Sequence, residues 1–167
     1  ETDDPLASYC AVAQYPFYRG SLNNVYSRFK SYLAKSKPTA FVRISGDSPF
    51  ISPRLIDIAI QIFEDNQVDL VSNVRPRKFP SGQSVEVIST TAFTSSKHQK
   101  SANFNAEHVT SGLYDEKFSK LHFSLPDLPL TDKVSIDTSC DYRAAKSLVF
   151  KDHDKLYPTN IEDYIIK

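Results

Sequence analysis

The sequence predicts an α/β fold with a mostly parallel sheet flanked by helices, because strand-like and helix-like segments alternate over residues 11–73. Three short segments have strand character, namely VAQYPFYRG, TAFVRI and VDLVSN. The two segments between them carry apolar residues at intervals of three and four, which is the helical period. The order strand, helix, strand, helix, strand predicts parallel strands joined by right-handed crossovers.

Start and stop signals define the two crossover helices. Ser21 is a suitable N-cap for the first helix, which cannot continue past Pro38. Ser52 is the expected N-cap of the second helix, and Pro53 takes its first position, where proline is favoured. A shorter helix is predicted before the first strand, with Pro5 in its first turn.

The second half of the chain predicts further strands and helices in a less regular order. Strands are expected at SVEVIS, KLHFSL and KVSID. Helices are expected in two pieces within residues 89–118, then at CDYRAAKSLVF and at PTNIEDYIIK. The stretch VRPRKFPSGQ is a basic loop marked by proline and glycine. With no internal repeat and no linker, residues 1–167 are predicted to form a single domain.

Composition excludes several classes of function. The chain has a formal net charge of +0, whereas nucleic-acid-binding domains normally show a basic excess. No apolar run is long enough to span a bilayer, so no membrane partner is predicted. Cys10 and Cys140 lie far apart and match no metal-binding spacing, which predicts reduced cysteines in a cytoplasmic protein.

Two aspartates stand at the ends of predicted strands. Asp47 follows TAFVRI in the stretch RISGDSP, and Asp137 ends KVSID. Each has an ordinary structural explanation, because aspartate is common in turns and at helix caps. Together they suggest a site for a hard cation such as Mg²⁺, which is often held by one or two carboxylates and by substrate phosphates. Open α/β sheets also bind ligands at the carboxyl ends of their strands.

The stretch YRGS at residues 18–21 is another candidate for ligand binding. Gly20 lets the backbone approach a ligand closely, and the N-terminus of the following helix favours an anion. The alternative is a plain turn between a strand and a helix.

Two segments of the second half offer further polar side chains. Gly82 precedes a predicted strand, where it suggests a required turn or a close ligand approach. Glu86, within that strand, is either an exposed residue or a contact for a polar substrate. Glu107 and His108 adjoin an apolar position, where a single histidine is more often structural than catalytic.

Taken in order, these motifs resemble those of a known family. The series comprises DDPLASYC, FYRGSLNNVYSRF, FVRISGDSPFISPRLID, DLVSN, FPSGQSVEVIS, AEHVT and SIDTSCD. It resembles the cytidylyltransferase family of the spore coat polysaccharide biosynthesis protein F type and, more distantly, the CMP-sialic acid and CMP-Kdo synthetases. The resemblance runs from residue 2 to about residue 145 and implies a nucleotide-diphosphosugar-transferase-like fold.

The resemblance also implies an activity and a set of site residues. Members of the family join a sugar to CMP, using CTP and Mg²⁺ and releasing pyrophosphate. The implied catalytic and metal-binding acids are Asp47 and Asp137. The implied nucleotide-binding residues are Arg19, Gly20, Ser21 and Arg43. The implied sugar-binding residues are Asn73, Gly82, Glu86, Glu107 and His108.

The chain departs from the family pattern at its beginning. Family members start with a strand and a loop rich in Arg, Ser, Gly and Lys that grips the triphosphate, and no such segment precedes Glu1, so the domain is predicted to be N-terminally incomplete. One alternative to a cytidylyltransferase is therefore a non-catalytic remnant that binds a nucleotide-sugar or a partner protein. Another is a sugar-1-phosphate nucleotidyltransferase that uses a different base. By family analogy, residues 89–118 are expected to contribute to a possible homodimer.

Overall fold

A mixed five-stranded sheet lies at the centre of the computed structural model, which describes residues 2–126, 133–147 and 157–167. Its strands are β1 (Ala40–Arg43), β2 (Leu70–Ser72), β3 (Glu86–Ser89), β4 (Lys120–Ser124) and β5 (Ile165–Ile166). The α-helices are α1 (Asp4–Val12), α2 (Val25–Ser36), α3 (Pro53–Asn66), α4 (Thr90–Thr94), α5 (Ser96–Gln99) and α6 (Ser139–Ser147). Short 3₁₀ turns lie at Ser111–Tyr114 and Ile161–Asp163.

The sheet has the strand order β1-β3-β2-β4-β5, which confirms the α/β fold but not the parallel pairing of its first strands. β1 and β2 run in the same direction, yet β3 lies between them and is antiparallel to both. β2 and β4 are parallel neighbours, and β5 is antiparallel to β4. The alternation in SVEVIS correctly predicted a strand, but alternation carries no information about where a strand inserts or in which direction it runs.

Three predicted elements are wrong. Residues 13–20 form no strand, because α1 continues to Val12 and Pro16 then removes a backbone donor from the segment. Residues 133–137 join no strand pair and instead bond to two loops. The predicted C-terminal helix is a 3₁₀ turn followed by β5, where Ile165 and Ile166 pair with β4, a placement that suits β-branched residues.

The two long helices largely follow their start and stop signals. α3 begins after Ser52 with proline in its first turn, as predicted. α2 begins later than expected, because the side chain of Asn24 caps it by accepting a hydrogen bond of 2.8 Å from the backbone of Ser27. It ends at Ser36, and Lys37 follows in a left-handed conformation (φ 51) just before Pro38. No helix in the described residues is long and apolar enough to cross a membrane.

The sheet buries apolar side chains on both faces. Val71 and Val87 pack against α3, together with Leu55 and Ile62 of that helix. Their sheet neighbours on the opposite face pack against α2 and α4, in a cluster that contains Leu70, Ile88, Tyr26, Leu33 and Phe93. Successive residues of a strand point to opposite faces, so β1, β2 and β3 each contribute to both clusters. This double packing fixes the ends of β1, β2 and β3, where the polar residues lie.

One histidine is completely buried within the aromatic part of this core. His98 lies beside the rings of Tyr26, Phe93 and Phe104, and its Nδ1–H donates to the carbonyl oxygen of Phe93 over 2.7 Å. Its Nε2 has no hydrogen-bond partner among the described residues. Burial in this apolar setting holds the pKa of His98 below its usual value, so the imidazole stays neutral at pH 7.

The free energy of unfolding should therefore fall as the pH drops below about 6.5, where the unfolded chain binds a proton at His98 that the folded chain does not. Urea unfolding from about pH 7.5 to about pH 5.5 measures this effect within the range where histidine titrates. His98→Gln, which cannot titrate, should show a shallower pH dependence than the parent protein. If the free energy of unfolding depended equally on pH in both proteins, the effect could not be assigned to His98.

Candidate active site

A polar cavity of about 410 Å³ opens at the carboxyl ends of β1 and β2. Arg43 ends β1, and Asp47 follows in the next loop. The loop between β2 and β3 contributes Arg75 and Arg77, and Glu86 begins β3 at the same edge of the sheet. The position is the one at which open α/β sheets bind ligands. The cavity thus combines three guanidinium groups, two carboxylates and several hydroxyl-bearing side chains.

The carboxylate of Glu86 is buried at the base of the cavity, and both of its oxygens accept hydrogen bonds. Arg43 lies directly opposite Glu86 in the β1–β3 register, and its guanidinium donates to Oε2 over 2.6 Å. Tyr114 donates its hydroxyl to Oε1 over 2.6 Å, and Thr110 donates to Oε2 over 3.2 Å. Glu86 is therefore not an exposed strand residue, and it neutralises and orients Arg43.

Tyr114 joins this carboxylate to a second arginine. Its hydroxyl also meets the hydroxyl of Ser72 at 2.8 Å, and its ring lies under the guanidinium of Arg75, 4.1 Å from the ring centroid. The ring of His122 stacks in parallel with that of Tyr114 at 5.8 Å. Burial, together with the adjacent charge of Glu86, raises the pKa of Tyr114, so the phenol stays protonated and keeps donating.

Asp47 presents an exposed carboxylate at the mouth of the cavity. Ser48 donates its hydroxyl to Oδ1 over 2.8 Å, while no ion pair to Asp47 exists among the described residues. The backbone carbonyl of Asp47 accepts a hydrogen bond of 2.8 Å from the N–H of Ile136. This bond holds the 133–137 segment against the loop after β1.

Asp137 lies on that adjacent segment but does not line the cavity, whereas Ser135 does. Its carboxylate is about half exposed and pairs with Lys133 over 2.7 Å, and Ser135 donates to it over 3.2 Å. The hydrogen bond from Lys133 lowers the pKa of Asp137, so the group stays ionised. Lys133 also pairs with Asp141 over 2.8 Å.

Asp47 and Asp137 carry the oxygen ligands that a hard cation such as Mg²⁺ prefers. The described residues contain no cluster of three or more His, Cys, Asp or Glu side chains that could hold a metal ion. Mg²⁺ commonly uses only one or two carboxylates and completes its shell with water and substrate phosphates. An exposed carboxylate at Asp47, with Asp137 on the neighbouring segment, fits that donor set. The metal role of both residues stays a prediction.

Comparison with known proteins identifies the family of this chain. A sequence model described as "Cytidylyltransferase" matches residues 1–157. The chain belongs to the cytidylyltransferase family. The family predicted from the motifs is thereby confirmed.

Two relatives and one solved structure show how far this likeness extends along the chain. "Spore coat polysaccharide biosynthesis protein SpsF" of Bacillus subtilis is 32% identical over 160 residues, covering 90% of this chain and 64% of the relative. The protein MJ1063 of Methanocaldococcus jannaschii is 26% identical over 145 residues, covering 84% of this chain and 58% of the relative. A cytidylyltransferase from Leptospira borgpetersenii has a similar fold, with a TM-score of 0.76 and 23% identity over 87% of this chain and 63% of that one. The chain therefore spans less than two thirds of each of these proteins.

Arg19 and Gly20 lie at a second cavity, of about 550 Å³, between α1 and the segment before α2. Arg19 pairs there with Asp4 over 2.7 Å. Gly20 packs against Arg28, since an added Cβ would lie 2.9 Å from its Cγ. Ser21 Oγ accepts the backbone N–H of Asn24 over 3.1 Å instead of capping α2 itself. The structure does not bring these residues to Asp47, and their nucleotide-binding role stays a prediction.

Gly82 lines the cavity, and the buried side chain of Asn73 supports the loop that carries Gly82. Asn73 is buried, donates to the backbone oxygen of Gln83 over 2.7 Å and accepts from Val85 N–H over 2.9 Å, which fixes the loop before β3. Gly82 has a positive φ of 96°, and a Cβ there would lie 2.7 Å from the backbone nitrogen of Ser135. The glycine is thus required for a turn and for close packing on the 133–137 segment. Sugar contact by either residue stays a prediction.

Glu107 and His108 differ in their position relative to the cavity. His108 is exposed and lines the cavity, whereas Glu107 is exposed outside it. The side chain of Asn105 accepts the backbone N–H groups of both residues, over 2.7 and 2.9 Å, and so fixes the turn that aims them. A sugar contact therefore suits His108 better than Glu107.

Sequence reasoning missed Arg75, Arg77, Thr110 and Tyr114 as cavity residues. The two arginines lie in the basic loop VRPRKFPSGQ, whose clustered charge was a usable signal. Thr110 and Tyr114 gave no comparable signal, because a threonine and a tyrosine beside apolar residues are ordinary in any fold.

Proposed function

We propose that the protein transfers CMP from CTP to a sugar, with release of pyrophosphate, in polysaccharide or glycan biosynthesis. The observation that carries the proposal is the exposed carboxylate of Asp47 at the mouth of a cavity lined by Arg75 and Arg77. A negative group that can hold a cation and positive groups that can hold phosphates are what nucleotidyl transfer requires. Membership of the family supports CTP as the nucleotide substrate, and the name of the Bacillus relative supports a role in polysaccharide biosynthesis.

In the proposed reaction a sugar oxygen attacks the α-phosphorus of CTP, and the bond to pyrophosphate breaks in line. Bound Mg²⁺ would supply neutralisation of the negative charge on the phosphate oxygens. Asp47, assisted by Asp137, would hold that cation. Arg75 and Arg77 would attract and orient the anionic ligand, because electrostatic interactions are stronger in a partly enclosed cavity than in open water.

The polar wall of the cavity suits the hydroxyl groups of a sugar. Ser84, Thr110 and Ser111 line it, and each hydroxyl can both donate and accept a hydrogen bond. Glu86 is engaged with Arg43 and Tyr114, so its proposed effect on the sugar is indirect, through the shape of this wall. A cytoplasmic location and a homodimer remain predictions.

Calorimetric titration with CTP, with and without Mg²⁺, tests the proposal, and ATP and UTP serve as matched competitors. We expect CTP binding that strengthens with Mg²⁺, followed by pyrophosphate release when a panel of sugars is added. Binding of no nucleotide, or equal binding of all three, would contradict the proposed activity.

His108→Ala should raise the KM for the acceptor sugar several-fold while the Kd for CTP stays unchanged. The expected size follows from loss of one or two hydrogen bonds at about 0.5–1.5 kcal/mol each. Steady-state kinetics with the best acceptor of the panel measures the effect, and Glu107→Ala serves as the neighbouring control outside the cavity. An unchanged sugar KM in the His108 variant would remove that residue from the acceptor site.

A further inference from the structure

The hydroxyl and the ring of Tyr114 interact with two different arginines, the first through Glu86 and the second directly. Its hydroxyl reaches Glu86 Oε1 at 2.6 Å, and Glu86 in turn holds Arg43 through Oε2. Its ring supports the guanidinium of Arg75 at 4.1 Å from the centroid. One side chain therefore contacts Arg75 directly and Arg43 through Glu86.

The two arginines differ in how their charge is compensated. The charge of Arg43 is balanced by the buried carboxylate of Glu86. Arg75 lines the same cavity, yet it forms no salt bridge with any residue in the described parts of the chain. A guanidinium that lies over the face of an aromatic ring can still donate its N–H groups to an oxyanion. The charge of Arg75 is thus free to pair with a ligand.

We propose that Tyr114 is a positioning residue that presents Arg75 as the group that binds an oxyanion of the ligand, a phosphate or a carboxylate. The inference deepens the proposed function and rests on it for the identity of the ligand. The ring of Tyr114 supplies the platform for Arg75. Its hydroxyl has a separate task, the orientation of Glu86 and Arg43.

Two substitutions separate these tasks. Tyr114→Phe keeps the ring and loses the hydroxyl, whereas Tyr114→Leu loses both. Arg75→Gln removes the proposed oxyanion ligand itself. Tyr142→Leu is the matched control, because Tyr142 carries Lys146 over its ring at 4.7 Å and does not line this cavity.

Calorimetry with inorganic pyrophosphate and with a hexuronic acid provides the first test and needs no enzymatic turnover. For one of the two probes we expect Arg75→Gln and Tyr114→Leu to weaken binding by a similar factor, about fivefold or more. Tyr142→Leu should bind as the parent protein does, whereas Tyr114→Phe, which keeps the ring under Arg75, should weaken binding less than Tyr114→Leu does. The affected probe distinguishes a phosphate of the nucleotide from an acidic group of the acceptor.

The combination of Tyr114→Leu with Arg75→Gln should be no weaker than Arg75→Gln alone, because residues that act as a unit are not additive. If Tyr114 had only a structural role, Tyr114→Leu would weaken probe binding further even in the Arg75→Gln background. The proposal is overturned if neither probe binds, if Arg75→Gln leaves both affinities unchanged, or if Tyr114→Leu binds normally while Arg75→Gln does not.

A second measurement requires no Tyr114 variant and so covers the case in which Tyr114→Leu does not fold. The Nε–H resonance of Arg75, assigned by its loss in Arg75→Gln, should lie upfield because the aromatic ring shields it, and it should shift when the bound probe is added. A resonance at the ordinary position, or one that does not respond, would overturn the proposal. Loss of CTP binding with intact Arg75-dependent probe binding would instead refute only the proposed function.

Discussion

Asp47→Asn is expected to reduce CMP transfer by about 100-fold or more, the scale seen when one group that stabilises transition-state charge is removed. The substitution keeps the size of the side chain and an oxygen that can accept the Ser48 hydroxyl. It removes the negative charge that the proposal assigns to cation binding. Pyrophosphate release with CTP and the best acceptor measures the loss.

Folding should be unaffected by this change, because Asp47 is exposed and its other contact is through the backbone. The free energy of unfolding should change by no more than about 0.5 kcal/mol, as for other surface substitutions. Asp57→Asn on the exposed side of α3 is a control with the same chemical change outside the cavity. Full activity in Asp47→Asn would exclude Asp47 from the reaction.

Glu86→Ala should cause the largest loss of stability, about 2–4 kcal/mol in the free energy of unfolding. The change leaves Arg43, Thr110 and Tyr114 without the acceptor that all three share. Removal of one partner from a buried ion pair is costly, and the 29% exposure of the Arg43 side chain moderates the cost. Urea unfolding at pH 7 measures the effect.

Glu86→Gln is the informative companion because it keeps the shape and one carbonyl acceptor. We expect it to fold and to lose less stability than Glu86→Ala, while it weakens the hold on Arg43. A loss below about 1 kcal/mol for Glu86→Ala would show that the network contributes no more than one ordinary hydrogen bond.

The sequence predicted the parts of this protein that depend on local pattern. Ser52 and Pro53 marked the start of α3, and the apolar segments at β1 and β2 were recognisable as strands. The strand character of SVEVIS was also correct, whereas its insertion between β1 and β2 depends on tertiary pairing that no local pattern encodes. The C-terminal strand was missed for the same reason.

In the candidate site, too, local motifs predicted some residues, whereas tertiary contacts determined the others. Asp47 and His108 were found from motifs and do line the cavity. Glu86 was found as well, but its buried pairing with Arg43 depends on the cross-strand register of β1 and β3. Tyr114 reaches this network from a 3₁₀ turn far along the chain, so only the folded structure could reveal it.

Paramagnetic relaxation by Mn²⁺ tests most directly whether a metal-bound nucleotide binds in the cavity beside Asp47. Carboxylate sites that accept Mg²⁺ also accept Mn²⁺, so CTP with substoichiometric Mn²⁺ should broaden nearby backbone amide resonances. We expect the strongest broadening at Asp47, Ser135 and Asp137, and we expect Asp47→Asn to abolish it. Broadening centred on Arg19 and Gly20 at the other cavity, or spread over surface acids without a centre, would contradict binding at Asp47.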